Sequence, residues 1–172
     1  MTYPLTTTLN RIQLHDPCLK EWQKGLAAAG KDAPDDEPIS YKAILDAVGL
    51  ENALWCCRAE PELDNQWRLF AVWCARQVQH LMNDPRSAKA LDIAELHAIG
   101  QATDNDLAAA GAAAWDAAWD AAGDAARAAA WAAAGDAARA GAWAAAWAAA
   151  KDAQSAAFRQ LVTTGTLPTI TK

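Results

Sequence analysis

Between Leu107 and Ala150, 28 of 44 residues are alanine, and most of the others recur at every fourth position. The beat runs through Trp115, Trp119, Gly123, Arg127, Trp131, Gly135, Arg139, Trp143, Trp147 and Lys151. Aspartates follow one place behind it at Asp116, Asp120, Asp124, Asp136 and Asp152. Alanine enters a helix without losing side-chain entropy, and no proline falls between Pro85 and Pro168. The stretch therefore predicts helix. A step of four residues overshoots one turn by about 40°, so the beat winds slowly around the helix axis. Counted from Trp115, Trp119 stands at about 40°, Trp143 at about 280° and Trp147 at about 320°. Trp131, at about 160°, points the other way, among Asp116, Asp120, Asp124 and Arg127.

Length decides what such a helix must do. Unbroken from Asp104 to Val162 it would extend roughly 90 Å, against a radius of gyration of about 16 Å for a compact chain of this size. The stretch is expected to fold back at least once. Gly123-Asp124 and Gly135-Asp136 are the candidate breaks, each offering a glycine to end one helix and an aspartate to cap the next. Both are followed by Ala-Ala-Arg, so an Asp–Arg pair within a continuous helix is the competing reading. Alanine faces allow close helix approach, and the tryptophans are expected to fill space at the edges.

The preceding hundred or so residues read as shorter helices. Thr6 to Leu14 favours a brief helix over a strand. Asp16-Pro17 reads as an N-cap with proline at the first helical position, opening a helix with Leu19, Trp22 and Leu26 on one face that ends near Gly30. Lys31 to Pro38 is an acidic loop. Ser40 caps a helix to Val48 with Ile44, Leu45 and Val48 inward, and Gly49 stops it. Leu50 to Arg58 forms another, holding Leu54, Trp55 and Cys56 or Cys57, closed by Pro61. Asp64 opens a stronger helix to about Met82, with Trp67, Phe70, Cys74, Val78 and Leu81 on its buried side. Asp84-Pro85 repeats the cap-and-proline signal before a helix to Ile99 that presents Ala88, Leu91, Ala94 and Ala98. Thr103 with Asp106 resembles a capping box. The expected architecture is all-α: a short-helix N-terminal half packed on a folded-back, Ala/Trp-rich long-helix hairpin. One domain is expected over 1–162, with short helices in 6–100, the alanine-rich region in 104–162, and a loose tail at 163–172.

The net charge of −6 over 172 residues and the lack of a basic patch argue against nucleic-acid binding. Met1 to Lys20 lacks a secretory pattern, and alanine with frequent Asp and Arg is too polar to span a bilayer. A cytoplasmic chain, with Cys18, Cys56, Cys57 and Cys74 reduced and mostly buried, is the expectation. Four cysteines and three histidines could in principle hold zinc. However, His15-x-x-Cys18 stands alone, Cys56 and Cys57 are adjacent, and no C-x-x-C occurs. A nucleophilic Cys–His pair fares no better: His80 points about 120° away from Cys74 on one helix, and His97 and Asp92 diverge similarly. Neither catalytic residues, a metal nor a cofactor is expected. Asp116, Asp120 and Asp124 stand at i,i+4 steps, where like charges repel. They form either a solvated face or an acidic stripe that meets a partner.

Several segments have a familiar order: His15-Asp16-Pro17-Cys18 with Trp22, Leu54-Trp55-Cys56, Leu69 to Arg76, Ala90 to Glu95, Thr103-Asp104, the Trp/Asp/Arg-Ala-Ala repeats, and Lys151 to Gln154. From Thr7 to about Leu161 the chain resembles an alanine-rich group of bacterial, phage and prophage proteins named immunity proteins from an association with toxin systems. The resemblance implies binding and neutralising a partner protein, and it carries no site residues. On the residues themselves, Asp116, Asp120, Asp124 and Trp131 are the expected contact set, since indoles anchor interfaces and charge speeds encounter. The alternatives are a phage-encoded inhibitor of a host defence complex, a self-associating homo-oligomer built on uncovered alanine faces, and a cysteine-dependent enzyme.

Overall fold

The computed structural model describes residues 3–77, 79–82, 84–115 and 136–170, with side chains for all of these except 81 and 136–147. Its helices are α1 (Leu9–Gln13), α2 (Leu19–Ala28), α3 (Tyr41–Cys56), α4 (Asp64–Gln77), α5 (Pro85–Ala98), α6 (described over 104–115) and α7 (Asp136–Thr164). Short 3₁₀ turns occupy Cys57–Ala59, Pro61–Leu63 and Gln79–Leu81. The chain is all-α, with one small ornament among the described residues. Strands β1 (Thr6–Thr7) and β2 (Ile39–Ser40) pair antiparallel, Thr6 opposite Ser40 and Thr7 opposite Ile39. The segment expected to be a brief helix from Thr6 is thus strand first and helix second. Thr8 makes the switch, its side chain accepting from Arg11 N at 3.2 Å as the N-cap of α1.

The chain divides into two compact units, Met1–Phe70 with Ala153–Thr171, and Ala71–Asp152. The first closes around Phe158, which is fully buried on α7 together with Ala157, Leu161 and Val162. Their i, i+1, i+4, i+5 spacing makes one helix face. Phe158 meets Phe70 edge-on at 5.3 Å, stacks on Trp67 at 6.0 Å and lies T-shaped to Tyr41 at 6.5 Å. Tyr41, itself fully buried, donates its hydroxyl to Cys56 O at 3.1 Å. Leu5 ties the two chain ends together, donating to Val162 O at 2.7 Å and accepting from Tyr41 N at 3.0 Å.

Local signals set most helix limits. Ser40 caps α3 by accepting from Ala43 N, and Gly49 breaks that helix at φ 80°, ψ 172°. That conformation is essentially closed to residues with a side chain, so α3 is two helical pieces meeting at a corner. The start of α2 departs from expectation. Asp16 does not cap it: with φ 51° and its N–H bonded to Gln13 O, Asp16 ends α1 in the left-handed conformation, and Pro17 follows the stop. Cys18 is the N-cap residue, without a side-chain bond. Leu19, expected on the inner face, is 69% exposed. At the far end α7 runs to Thr164, with the Thr163 and Thr164 hydroxyls bonded back to Arg159 and Gln160 carbonyls.

In the second unit α4 ends at Gln77, short of the expected Met82. Met82 N donates to Gln79 O, a three-residue step that tightens the chain into a 3₁₀ turn. Val72 and Trp73 are buried, and Cys74 is half-buried. Arg76 holds α4 to α5, reaching Asp92 at 2.8 Å and Glu95 at 2.6 Å, with Gln79 at 3.0 Å. Asp84 caps α5 at Arg86 N with Pro85 at the first position. Thr103 and Asp106 complete a reciprocal capping box at the start of α6, 2.9 and 3.2 Å. Gly123, Asp124 and Gly135, on which the expected fold-back rests, lie outside the described residues.

Candidate functional site

Helix α2 buries none of its residues fully. One of its faces, with Trp22, Gly25 and Ala28, looks instead across an open cavity at Ala43, Ile44, Ala47 and Val48 of α3. Leu9, Ile12 and Cys56 are also in the lining, with Pro17-Cys18 and Pro38-Ile39 contributing further wall. The cavity measures about 330 Å³ and lies wholly within the first unit. Trp55 forms part of it and is held in place by Arg58, whose guanidinium sits 4.3 Å over the indole and whose Nε donates to Trp55 O at 2.9 Å.

The charged groups of the lining are paired with each other or with neighbours. Glu21 accepts from Lys24 at 3.0 Å and from Asn52 at 3.2 Å, and Asn52 also donates to Val48 O at 2.8 Å. Lys31 bridges Asp35 and Glu37. Hydrogen bonding to Asp35 holds the Lys31 ammonium above its ordinary range, and the same bond holds the Asp35 carboxyl below its own. Just outside, large apolar side chains stand in water: Leu14 is 81% exposed and Leu19 69%, on the turn that supplies Pro17 and Cys18.

Gly25 is the informative residue of this wall. It lies inside α2, and a Cβ built there meets nothing within 4 Å. No close approach requires glycine, although glycine in a helix interior costs about 1 kcal/mol relative to alanine. Gly25→Ala is therefore expected to stabilise the chain by about 0.5–1 kcal/mol in urea denaturation. A loss of stability would show that a side chain at position 25 clashes with this wall.

A second polar group lies deeper in the same unit. Glu60, 4% exposed, binds Arg11 at 2.9 Å through one oxygen and lies against the buried Thr7 hydroxyl. Burial raises the Glu60 carboxyl above its ordinary range, with Thr7 and Arg11 pulling the other way. Neither residue lines the cavity.

Of the expected contact set, Asp116, Asp120, Asp124 and Trp131 all lie outside the described residues. The histidines and cysteines can be placed. His15 and Cys18 are exposed, and His97 binds Asp104 at 2.7 Å across the turn after α5, a partner its own helix does not provide. No three His, Cys, Asp or Glu side chains converge on one point among the described residues. Burial pushes the Cys56 and Cys74 thiols up to about 11 and Cys57 higher still. These three are protonated at neutral pH, the unreactive form. Under native conditions a small alkylating reagent is expected to modify the exposed Cys18 first, with Cys56 and Cys57 following only on unfolding, as read by intact mass. Rapid labelling of Cys56 or Cys57 would contradict their burial.

The cavity escaped the sequence reading. Its signal was present as small residues at matching places on two helices, Gly25 and Ala28 on one, Ala43 and Ala47 on the other, with Trp22 and Trp55 beside them. Among the described residues no helix is long and apolar enough to cross a membrane. Comparison with protein-family models, with curated proteins and with solved structures finds no match for this chain.

Proposed function

We propose that this chain is a non-enzymatic protein-binding module of the immunity or inhibitor kind, which neutralises a partner protein by covering part of its surface. The observation that carries the reading is the pair of leucines, Leu14 and Leu19, held in water at 81% and 69% exposure beside an open apolar cavity. Large apolar side chains left exposed close in the chain to residues that line an apolar cavity are what an interaction site offers. The sequence resemblance to immunity proteins points the same way, and a net charge of −6 favours fast encounter with a basic partner. On the alanine-rich region, Asp116, Asp120, Asp124 and Trp131 belong to the same proposal as a second contact set.

The test is photo-crosslinking from positions 14 and 19 in the producing cell, followed by reconstitution with the captured protein. A stoichiometric complex in which the captured protein loses its activity is the expected result. Capture of a toxin or of a defence component would separate the two versions of the role. Cross-links only to further copies of this chain, with a matching oligomer in sedimentation, would replace the proposal with self-association. Charge reversal at Asp120 and Asp124 that leaves the affinity unchanged would remove those aspartates from the contact set.

A further inference from the structure

We infer that the cavity between α2 and α3 is the socket for one bulky apolar side chain of the partner protein, carried on a segment with lysines or arginines beside it. The inference rests on the protein-binding reading above and adds where the contact is made and with what chemistry. The interior comes first. At about 330 Å³ the cavity sits at the small end of the roughly 300–1,000 Å³ span of ligand pockets. Its charged wall residues are engaged with each other or with neighbours through the Glu21–Lys24, Glu21–Asn52, Lys31–Asp35 and Lys31–Glu37 contacts. An occupant with a buried charge would have to break one of these pairings, whereas an apolar one leaves them intact.

Charge on one of the two walls selects the flanks. Residues 16–37, which supply α2 and the loop after it, carry Asp16, Glu21, Asp32, Asp35, Asp36 and Glu37 against Lys20, Lys24 and Lys31. Six carboxylates less three ammoniums leave −3, half of the −6 of the whole chain, so basic residues are favoured where a partner meets α2 and the loop after it. A macromolecule is favoured over a small molecule because a small molecule in the cavity would leave Leu14 and Leu19 in water. A segment of a partner can cover them while its anchor fills the socket. Gly25 fits the same account, since it lines the cavity and a side chain built there meets nothing within 4 Å, which leaves a larger one room to occupy.

The experiment uses the full chain labelled with ¹⁵N and a short helical peptide bearing one phenylalanine between lysines. The indole N–H signals of Trp22 and Trp55, assigned through Trp22→Phe and Trp55→Phe, are expected to shift on titration. Changing the peptide's phenylalanine to alanine, or blocking the socket with Gly25→Leu, should each weaken binding at least about tenfold. Replacing the peptide's lysines by glutamates should weaken it by about tenfold at low salt. Ala47→Leu, from the facing helix, provides a second block should Gly25→Leu fail to fold. Shifts confined to other indoles, with binding indifferent to both blocks, would overturn the socket and leave the protein-binding reading standing. Binding of N-acetyl-phenylalaninamide as tight as that of the peptide, with no effect of the lysines, would overturn it in favour of a small-molecule site. No indole shift at the solubility limit would also overturn it. Failure of the crosslinking experiment, by contrast, bears on the function and not on this cavity alone.

Discussion

Phe158→Ala is expected to lower the unfolding free energy by about 4 kcal/mol, the usual cost of emptying an aromatic core position. Phe158 is fully buried, and Tyr41, Trp67 and Phe70 all pack against its ring. Removing it leaves a hole that three large, mutually wedged rings fill poorly, so the transfer and cavity costs add. Phe158→Leu keeps most of the volume and is expected to cost about 1–1.5 kcal/mol. Urea denaturation followed by far-UV circular dichroism measures both. A loss below about 1 kcal/mol for the alanine variant would mean that the first unit is not organised around this ring.

Gly165→Ala has the next largest expected effect, about 2–3 kcal/mol, from two separable causes. Gly165 has φ 78° and closes α7 by donating to Leu161 O at 2.8 Å. A side chain in that conformation costs about 1–2 kcal/mol on backbone grounds. In addition, a Cβ at Gly165 would clash with the hydroxyl-bearing edge of the Tyr3 ring. Tyr3 can swing aside, but only by giving up its packing. A double-mutant cycle separates the causes: Tyr3→Ala with Gly165→Ala should cost less than the two single changes summed, by about 1 kcal/mol, while the backbone part remains. Strict additivity would remove the ring from the explanation.

Signals that act within four residues were legible in the sequence. Ser40, Asp84 and the Thr103–Asp106 pair each cap the helix they were expected to cap, and Gly49 stops the first piece of α3. Asp16-Pro17 failed for a local reason as well. An aspartate tolerates the left-handed conformation, so the same dipeptide can end α1 as readily as it can begin α2. What the sequence hid is what only chain closure creates. Phe158 shares a helix face with Leu161 and Val162, but its position as hub depends on residues more than eighty positions away. His97 was measured against Asp92 on its own helix, whereas its partner Asp104 arrives by way of the turn at Gly100. The cavity was hidden for a related reason, because it is defined by residues that leave space and not by residues that fill it.

The bond from Leu5 to Val162 sets an order of events during synthesis. Tyr41, Trp67 and Phe70 emerge from the ribosome early, while Phe158 follows only after the whole alanine-rich stretch has been translated. At about 5–20 residues per second the interval is several seconds. Throughout it the nascent chain exposes an aromatic surface that needs shelter, so slowing translation through the alanine codons should increase its demand for chaperones.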